Sequence, residues 1–264
     1  MKVISFLFIS VLFLSCSDKP TNKSKSILIT NGGWGKYFNL NDLVGTFVLK
    51  KLNSDTLKVY NPVRAKQQYL PASTFKILNS LISLEENVIE NVDTIFKWDG
   101  KKRFYDKWNQ DQNMRTAMKY SCVWFYQELA RRIGREKMQY YLGTIKYGNS
   151  KLGESIDTFW LDGDLRISAI EQIIFLEKLL TKQLPFSNSN IETVKSILLI
   201  NSSDTYSYYA KTGWAAKIGW YVGFVIKGNE SWLFALNIDI LKKNDTRFRK
   251  SIAENILRNE GLLK

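Results

Sequence analysis

The chain has 264 residues, 45% hydrophobic and 24% charged, a balance that supports a large core in one domain or two lobes. It contains no histidine. That excludes a Ser-His-Asp triad, a Cys-His pair and His-ligated zinc chemistry, so a nucleophilic enzyme built on this chain takes its base from Lys, a carboxylate or Tyr. The net charge of +13 comes from scattered basic residues without an arm or an Arg-rich helix. This is the pattern of a solvated Lys-rich surface and not of a nucleic-acid binder, and its field would draw in an anionic substrate.

In chain order, Lys2 precedes an apolar run from Val3 to Leu14, followed by Ser15 and Cys16. The run is short for a membrane span and fits a secretory signal. A Cys directly after a small residue at its end matches a bacterial lipoprotein cleavage site, although Phe13 stands where such sites usually carry Leu. Residues 1–16 read as a lipoprotein-type signal segment, or as a plain signal peptide with an incidental Cys16. Residues 17–26 read as a polar tether and 27–264 as the folded domain. Cys122 would then lack an intramolecular partner, so no disulfide is expected despite an exported address.

From Ile27 to Tyr60 the pattern is short strands and turns, with "GTFVLKKL" and "TLKVY" forming a hairpin around "NSD". Ser73 to about Asn87 is helical and apolar on most faces, hence central and buried. "SCVWFYQELARRIGREKMQYYLG" reads as helix that stops near Gly134 and resumes, and "ISAIEQIIFLEKLLTKQL" as another. After Lys211 strands return as "GWYVGFVIKG" and "SWLFALNIDI", split by the turn "GNE", before a last helix, "FRKSIAENILRNEG". Strands at both ends and helices between them predict an α+β fold. Its antiparallel sheet is built from both termini with flanking helices, and an all-helical lobe is inserted. A cleft between the lobes is the natural place for a site.

The stretch "YLPASTFKILNS" places Ser73 three residues before Lys76. On these residues alone Ser73 reads as a helix cap. Residues three apart on a helix share a face, so Ser73 Oγ and the Lys76 amine can also meet. A helix N-terminus would favour negative charge on an acyl oxygen, and an apolar surround would lower the lysine pKa toward that of a usable base. Three later pieces are weak singly: "SCV" at Ser121 to Val123, "YGN" at Tyr147 to Asn149, and "KTG" at Lys211 to Gly213. A helix cap, a turn and a strand end beside glycine would each explain one of them. Their occurrence in this order after S-x-x-K is the layout of penicillin-recognising serine enzymes, and it turns Ser73 from cap to nucleophile.

From about Trp34 to the C-terminus the chain resembles the class D (oxacillinase-type) serine β-lactamases, through "YLPASTFKI", "FKWDG", "YGN", "FWLDGDLRIS", "KTGW", "GWYVGFV" and "RKSI". S-x-V in place of S-D-N separates it from class A. Cys122 and Trp124 flank the valine of S-x-V, and the connection between "KTG" and "GWYVGFV" is short, which bears on substrate range.

The resemblance implies roles. Ser73 is the nucleophile, and Lys76 is carboxylated by CO₂ to N6-carboxylysine, which acts as the base in both acylation and hydrolysis. Trp160 holds that carbamate and Val123 keeps it dry. Ser121 carries a proton to the leaving ring nitrogen, with Lys211 adding positive charge. Thr212 and Arg249 bind the substrate carboxylate, Gly213 and Val123 are further substrate-binding positions, and the backbone N–H groups of Ser73 and Trp214 form the oxyanion hole. Tyr147 to Asn149 shape the cleft, while Phe104, Tyr105 and the segment after Trp214 set substrate range. Neither a metal nor an organic cofactor is implied, only CO₂ or bicarbonate for Lys76, and the expected partner is a small β-lactam. The expected location is the periplasm of a Gram-negative bacterium, with a membrane tether through Cys16. Two rivals share the nucleophile and fold: a cell-wall transpeptidase or carboxypeptidase, and a β-lactam sensor domain that stays acylated. Trp160 and the class D phrases favour hydrolysis.

Overall fold

The computed structural model describes residues 27–264, so the expected signal segment and tether, with Cys16, fall on residues that lie outside the described ones. The elements in order are β1 (Ile27–Thr30), α1 (Gly35–Asn39), β2 (Gly45–Lys51), β3 (Thr56–Tyr60), α2 (Pro62–Lys66) and α3 (Lys76–Glu85). Then come α4 (Met114–Lys119), α5 (Val123–Ile133), α6 (Arg135–Ile145), α7 (Ala169–Leu180) and α8 (Asn188–Ile197). The chain closes with β4 (Leu199–Ser202), β5 (Ser207–Ala215), β6 (Ile218–Lys227), β7 (Glu230–Asp239) and α9 (Phe248–Asn259).

Among the described residues the strands form one seven-stranded sheet in the order β1-β3-β2-β7-β6-β5-β4. The first and last stretches of the domain meet at the β2–β7 pair, as expected. The sheet is antiparallel except at one edge, where β1 runs parallel to β3. That pair corrects the purely antiparallel expectation. Its cause lies in the linker: a 3-10 turn (Gly32–Trp34) and α1 stand where only strands and turns were expected, and they carry the chain across to β2.

Alternate side chains of a strand face opposite sides, and here both sides are covered. On β7, Leu233 and Ala235 join the core under the helical lobe, while Phe234, Leu236 and Ile238 join a second core against α1 and α9. The central strands are therefore buried on both faces, which explains their nearly unbroken apolar sequences. Helix α3 runs through the first core, and every residue from Lys76 to Leu84 is buried. The break between α5 and α6 falls at Gly134, whose φ of 80° suits glycine.

Two further expectations are corrected. Strands resume at Leu199 and Ser207, before Lys211, which lies inside β5. Edge strand β4 is exposed throughout and carries no alternating pattern, so periodicity could not reveal it. The helix expected from Ser73 begins as a 3-10 turn, Ala72–Phe75, and becomes α-helical at Lys76.

Candidate active site

The Ser73 turn is held from several sides. Ala72 adopts φ 50°, a left-handed conformation unfavourable for a residue with a Cβ, directly before Ser73. Its N–H donates to the Trp160 carbonyl at 2.9 Å. Trp220 Nε1 donates to the Leu70 carbonyl at 2.8 Å, and Gln172 Nε2 to Thr74 Oγ1 at 2.8 Å. Thr74 Oγ1 in turn donates to the Pro71 carbonyl at 2.7 Å. Strand β5 closes against the turn at Gly213, where a Cβ would stand 3.1 Å from the Pro71 carbonyl oxygen.

Ser73 caps neither helical segment: the residues before them are Pro71 and Phe75, and neither makes a side-chain cap. Ser73 Oγ instead accepts a hydrogen bond from Lys76 Nζ at 2.7 Å. Lys76 is completely buried, and loss of hydration pulls its amine down to about 7. The Tyr126 ring lies 5.2 Å from Nζ. Trp160, also fully buried, stacks on Phe75 with ring centroids 5.3 Å apart. Its Nε1 has no hydrogen-bond partner among the described residues.

Ser121 occupies the turn between α4 and α5 at φ 55°, a second left-handed non-glycine residue at the site. Its Oγ accepts from Lys211 Nζ at 2.8 Å, and the same amine donates to the Thr212 carbonyl at 3.0 Å. Burial lowers the Lys211 pKa well below the usual lysine value, reinforced by the charges of Lys76, Arg249 and Lys250. Cys122, buried beside Ser121, has its thiol pushed up to about 11, so it stays protonated at neutral pH.

Arg249 is half-buried at the start of α9. Its Nη1 donates to the Gly213 carbonyl at 2.5 Å and its Nε to the Thr246 carbonyl at 2.7 Å. Burial lowers its pKa to about 10, leaving the guanidinium charged at neutral pH. Gly219 on β6 makes room for it: a Cβ there would stand 2.8 Å from Arg249 Cδ.

These groups border one cleft of about 830 Å³. Ser73, Ser121, Val123, Thr212, Gly213, Trp214 and Arg249 line it. Lys76, Trp160 and Lys211 stand behind that lining, buried. Phe104 and Tyr105, expected to bear on substrate range, also line the cleft. Tyr147 packs beneath the Ser73 turn, 5.8 Å from Phe75, and Asn149 bonds the Asp164 carbonyl and the Arg166 N–H. "YGN" thus braces the loop that carries Trp160. Sequence reasoning did not single out Trp108, Tyr120, Leu161 and Thr246 in the lining, Tyr126 over the lysine, or Gly219 beneath Arg249. Gly219 had a visible signal, a glycine in an otherwise apolar strand. The others lie in ordinary aromatic and loop sequence.

A buried Ser–Lys pair, a second Ser–Lys pair bordering the same cleft and one arginine in its lining are groups that can support serine acyl transfer. The profile of the penicillin binding protein transpeptidase domain matches residues 35–259. Beta-lactamase OXA-5 of Pseudomonas aeruginosa is 39% identical, with 100% of this chain and 99% of that protein aligned. Beta-lactamase OXA-48 of Klebsiella pneumoniae is 39% identical over 98% of this chain and 96% of its own. Among solved structures, the class D β-lactamase FUS-1 (OXA-85) of Fusobacterium nucleatum subsp. polymorphum superposes with TM-score 0.86 at 39% identity, covering 89% of this chain and 100% of that one. The class D YbXI from Nostoc gives 0.85 at 42%, covering 87% and 99%. The chain belongs to the class D serine β-lactamases.

Proposed function

We propose that this protein hydrolyses β-lactam antibiotics through an acyl-enzyme on Ser73 and so protects the cell that exports it. The observation that carries this reading is Lys76 Nζ, wholly buried yet 2.7 Å from Ser73 Oγ in the cleft wall. A β-lactam carries a carboxylate and a strained amide. The Arg249 guanidinium and the Thr212 hydroxyl bind the carboxylate. Ser73 Oγ attacks the ring carbonyl, and the N–H groups of Ser73 and Trp214 hold the oxygen that becomes negative. The C–N bond then breaks, and Ser121, hydrogen-bonded to Lys211, passes a proton to the leaving nitrogen.

We further propose that Lys76 is N-carboxylated. Carboxylation requires a neutral amine, and burial brings the Lys76 pKa to about 7. The unpartnered Trp160 Nε1 provides a buried donor for the new carboxylate, and the buried, stacked rings of Phe75 and Trp160 shield it from water. The modification supplies an anionic oxygen able to accept the Ser73 proton and later to activate water. Export through the leader and lipid attachment at Cys16 complete the reading.

Turnover of a chromogenic cephalosporin tests the activity. Wild-type protein should run many cycles, whereas one burst and a stop would favour the transpeptidase or sensor reading. Ser73→Ala should show no turnover and no penicillin adduct by mass spectrometry. An adduct still forming elsewhere removes Ser73 as nucleophile.

A further inference from the structure

One wall of the cleft is aromatic and is joined to the Ser121 turn by two indole hydrogen bonds. Residues 103–109 form a closed loop: Arg103 N donates to Asn109 Oδ1 at 2.7 Å, and Asn109 Nδ2 donates back to the Arg103 carbonyl at 3.0 Å. Phe104 and Tyr105 on this loop are exposed and pack edge-on against Trp108, with centroids 5.2 and 6.0 Å away. Trp108 Nε1 donates to the Tyr120 carbonyl at 2.9 Å, just before Ser121. Trp124 Nε1, from the first turn of α5, donates to the Trp108 carbonyl at 2.8 Å. Trp124 is buried, with the Arg103 guanidinium 5.6 Å from its ring, and it is not part of the cleft lining.

The groups that would meet the substrate's polar atoms come from the Ser73 turn, the Ser121 turn, β5 and α9. The aromatic wall comes from a separate loop, closed on itself by the Arg103–Asn109 bonds and tied to the Ser121 turn through the two indoles, so loss of one tether lowers its local stability. Resting on the proposed β-lactam reading, we infer that Trp124 is a positioning residue for substrate selectivity. Its indole N–H sets Trp108, and with it the Phe104–Tyr105–Trp108 wall against which an aryl side chain of the substrate packs. Removing the N–H leaves a part-buried carbonyl unpaired and loosens the wall, while Ser73, Lys76, Ser121 and Arg249 keep their own bonds.

Trp124→Phe, which keeps a ring and drops the N–H, tests this. The readout is the second-order acylation rate constant, measured in competition with a fluorescent penicillin, so it does not depend on deacylation. A penicillin with a bulky aryl acyl group should lose about three- to tenfold, and 6-aminopenicillanic acid, which has no acyl group, should stay within about twofold. Trp108→Phe should also lose on the aryl penicillin, and the double variant should lose no more than the larger single loss. Equal loss on both β-lactams, no loss on either, or additive losses in the double variant overturns the inference. If Trp124→Phe does not fold, Trp124→Leu is read in its place: a selective aryl loss supports the inference and an unchanged aryl preference overturns it. Wild-type protein that no β-lactam acylates would instead sink the functional reading on which the inference rests.

Discussion

Lys76 Nζ stands 2.7 Å from Ser73 Oγ although no part of the lysine reaches solvent. An ordinary lysine is an ammonium at neutral pH and cannot take a proton from a serine. Burial removes that obstacle, and much of what the site can do depends on it.

The first consequence concerns pH and CO₂. The amine is neutral above about 7 and protonated below it, so carboxylation is favoured on the alkaline side. Hydrolysis should fall as pH drops through that value, and added bicarbonate should restore it after return to neutral pH. Trp160→Phe keeps the stack on Phe75 and removes the N–H, so it should need more bicarbonate and accumulate a penicillin adduct on Ser73. Bicarbonate-insensitive turnover together with full activity of Trp160→Phe would leave a plain Ser–Lys pair.

The same burial opposes folding. The folded pKa of Lys76 lies below the ordinary value of 10.5, so between about 7 and 10.5 the unfolded chain binds the extra proton. The contribution of this residue to stability therefore rises with pH across that window and is least favourable below about 7. Lys76→Met should abolish activity and, at pH 6, stabilise the fold by about 2–4 kcal/mol, less the lost bond to Ser73. Thermal melts at pH 6 and pH 9 check this: the gain should shrink at the higher pH, and a lower Tm at pH 6 would contradict it.

Arg249 and Gly219 make a linked pair of predictions. Arg249→Ala should lower kcat/KM for carboxylated β-lactams about 10- to 100-fold, mainly through KM. Gly219→Ala should shift kcat/KM in the same direction by about three- to tenfold, because the new methyl displaces the arginine stem. Unchanged kinetics in Gly219→Ala would show that the guanidinium reaches its place by another route.

Cys16 gives a cellular prediction. Wild-type protein expressed in a bacterium should partition into detergent with the membrane fraction, and Cys16→Ser should not. Equal recovery of both in the soluble periplasmic fraction would mean a plain signal peptide.

Much of the site was legible because its chemistry is local. Ser73 and Lys76 are three residues apart, and helical geometry is enough to bring them together. The absence of histidine narrowed the possible bases before any fold was known, and the order of "SCV", "YGN" and "KTG" carried the family resemblance. The two-ended sheet followed from apolar strands at both termini. Other features had no local signal. Edge strand β4 and the parallel β1–β3 pair depend on neighbours that meet only in the folded sheet. The Lys211–Ser121 bond joins residues 90 positions apart, and the Arg249 bond to the Gly213 carbonyl spans 36. Sequence alone therefore determined which chemistry the chain could support, since side-chain type and short spacing set that. Tertiary structure alone decided how far Lys76 is desolvated, which way Arg249 points and what holds the aromatic wall, because burial and long-range hydrogen bonds exist only once distant segments have packed.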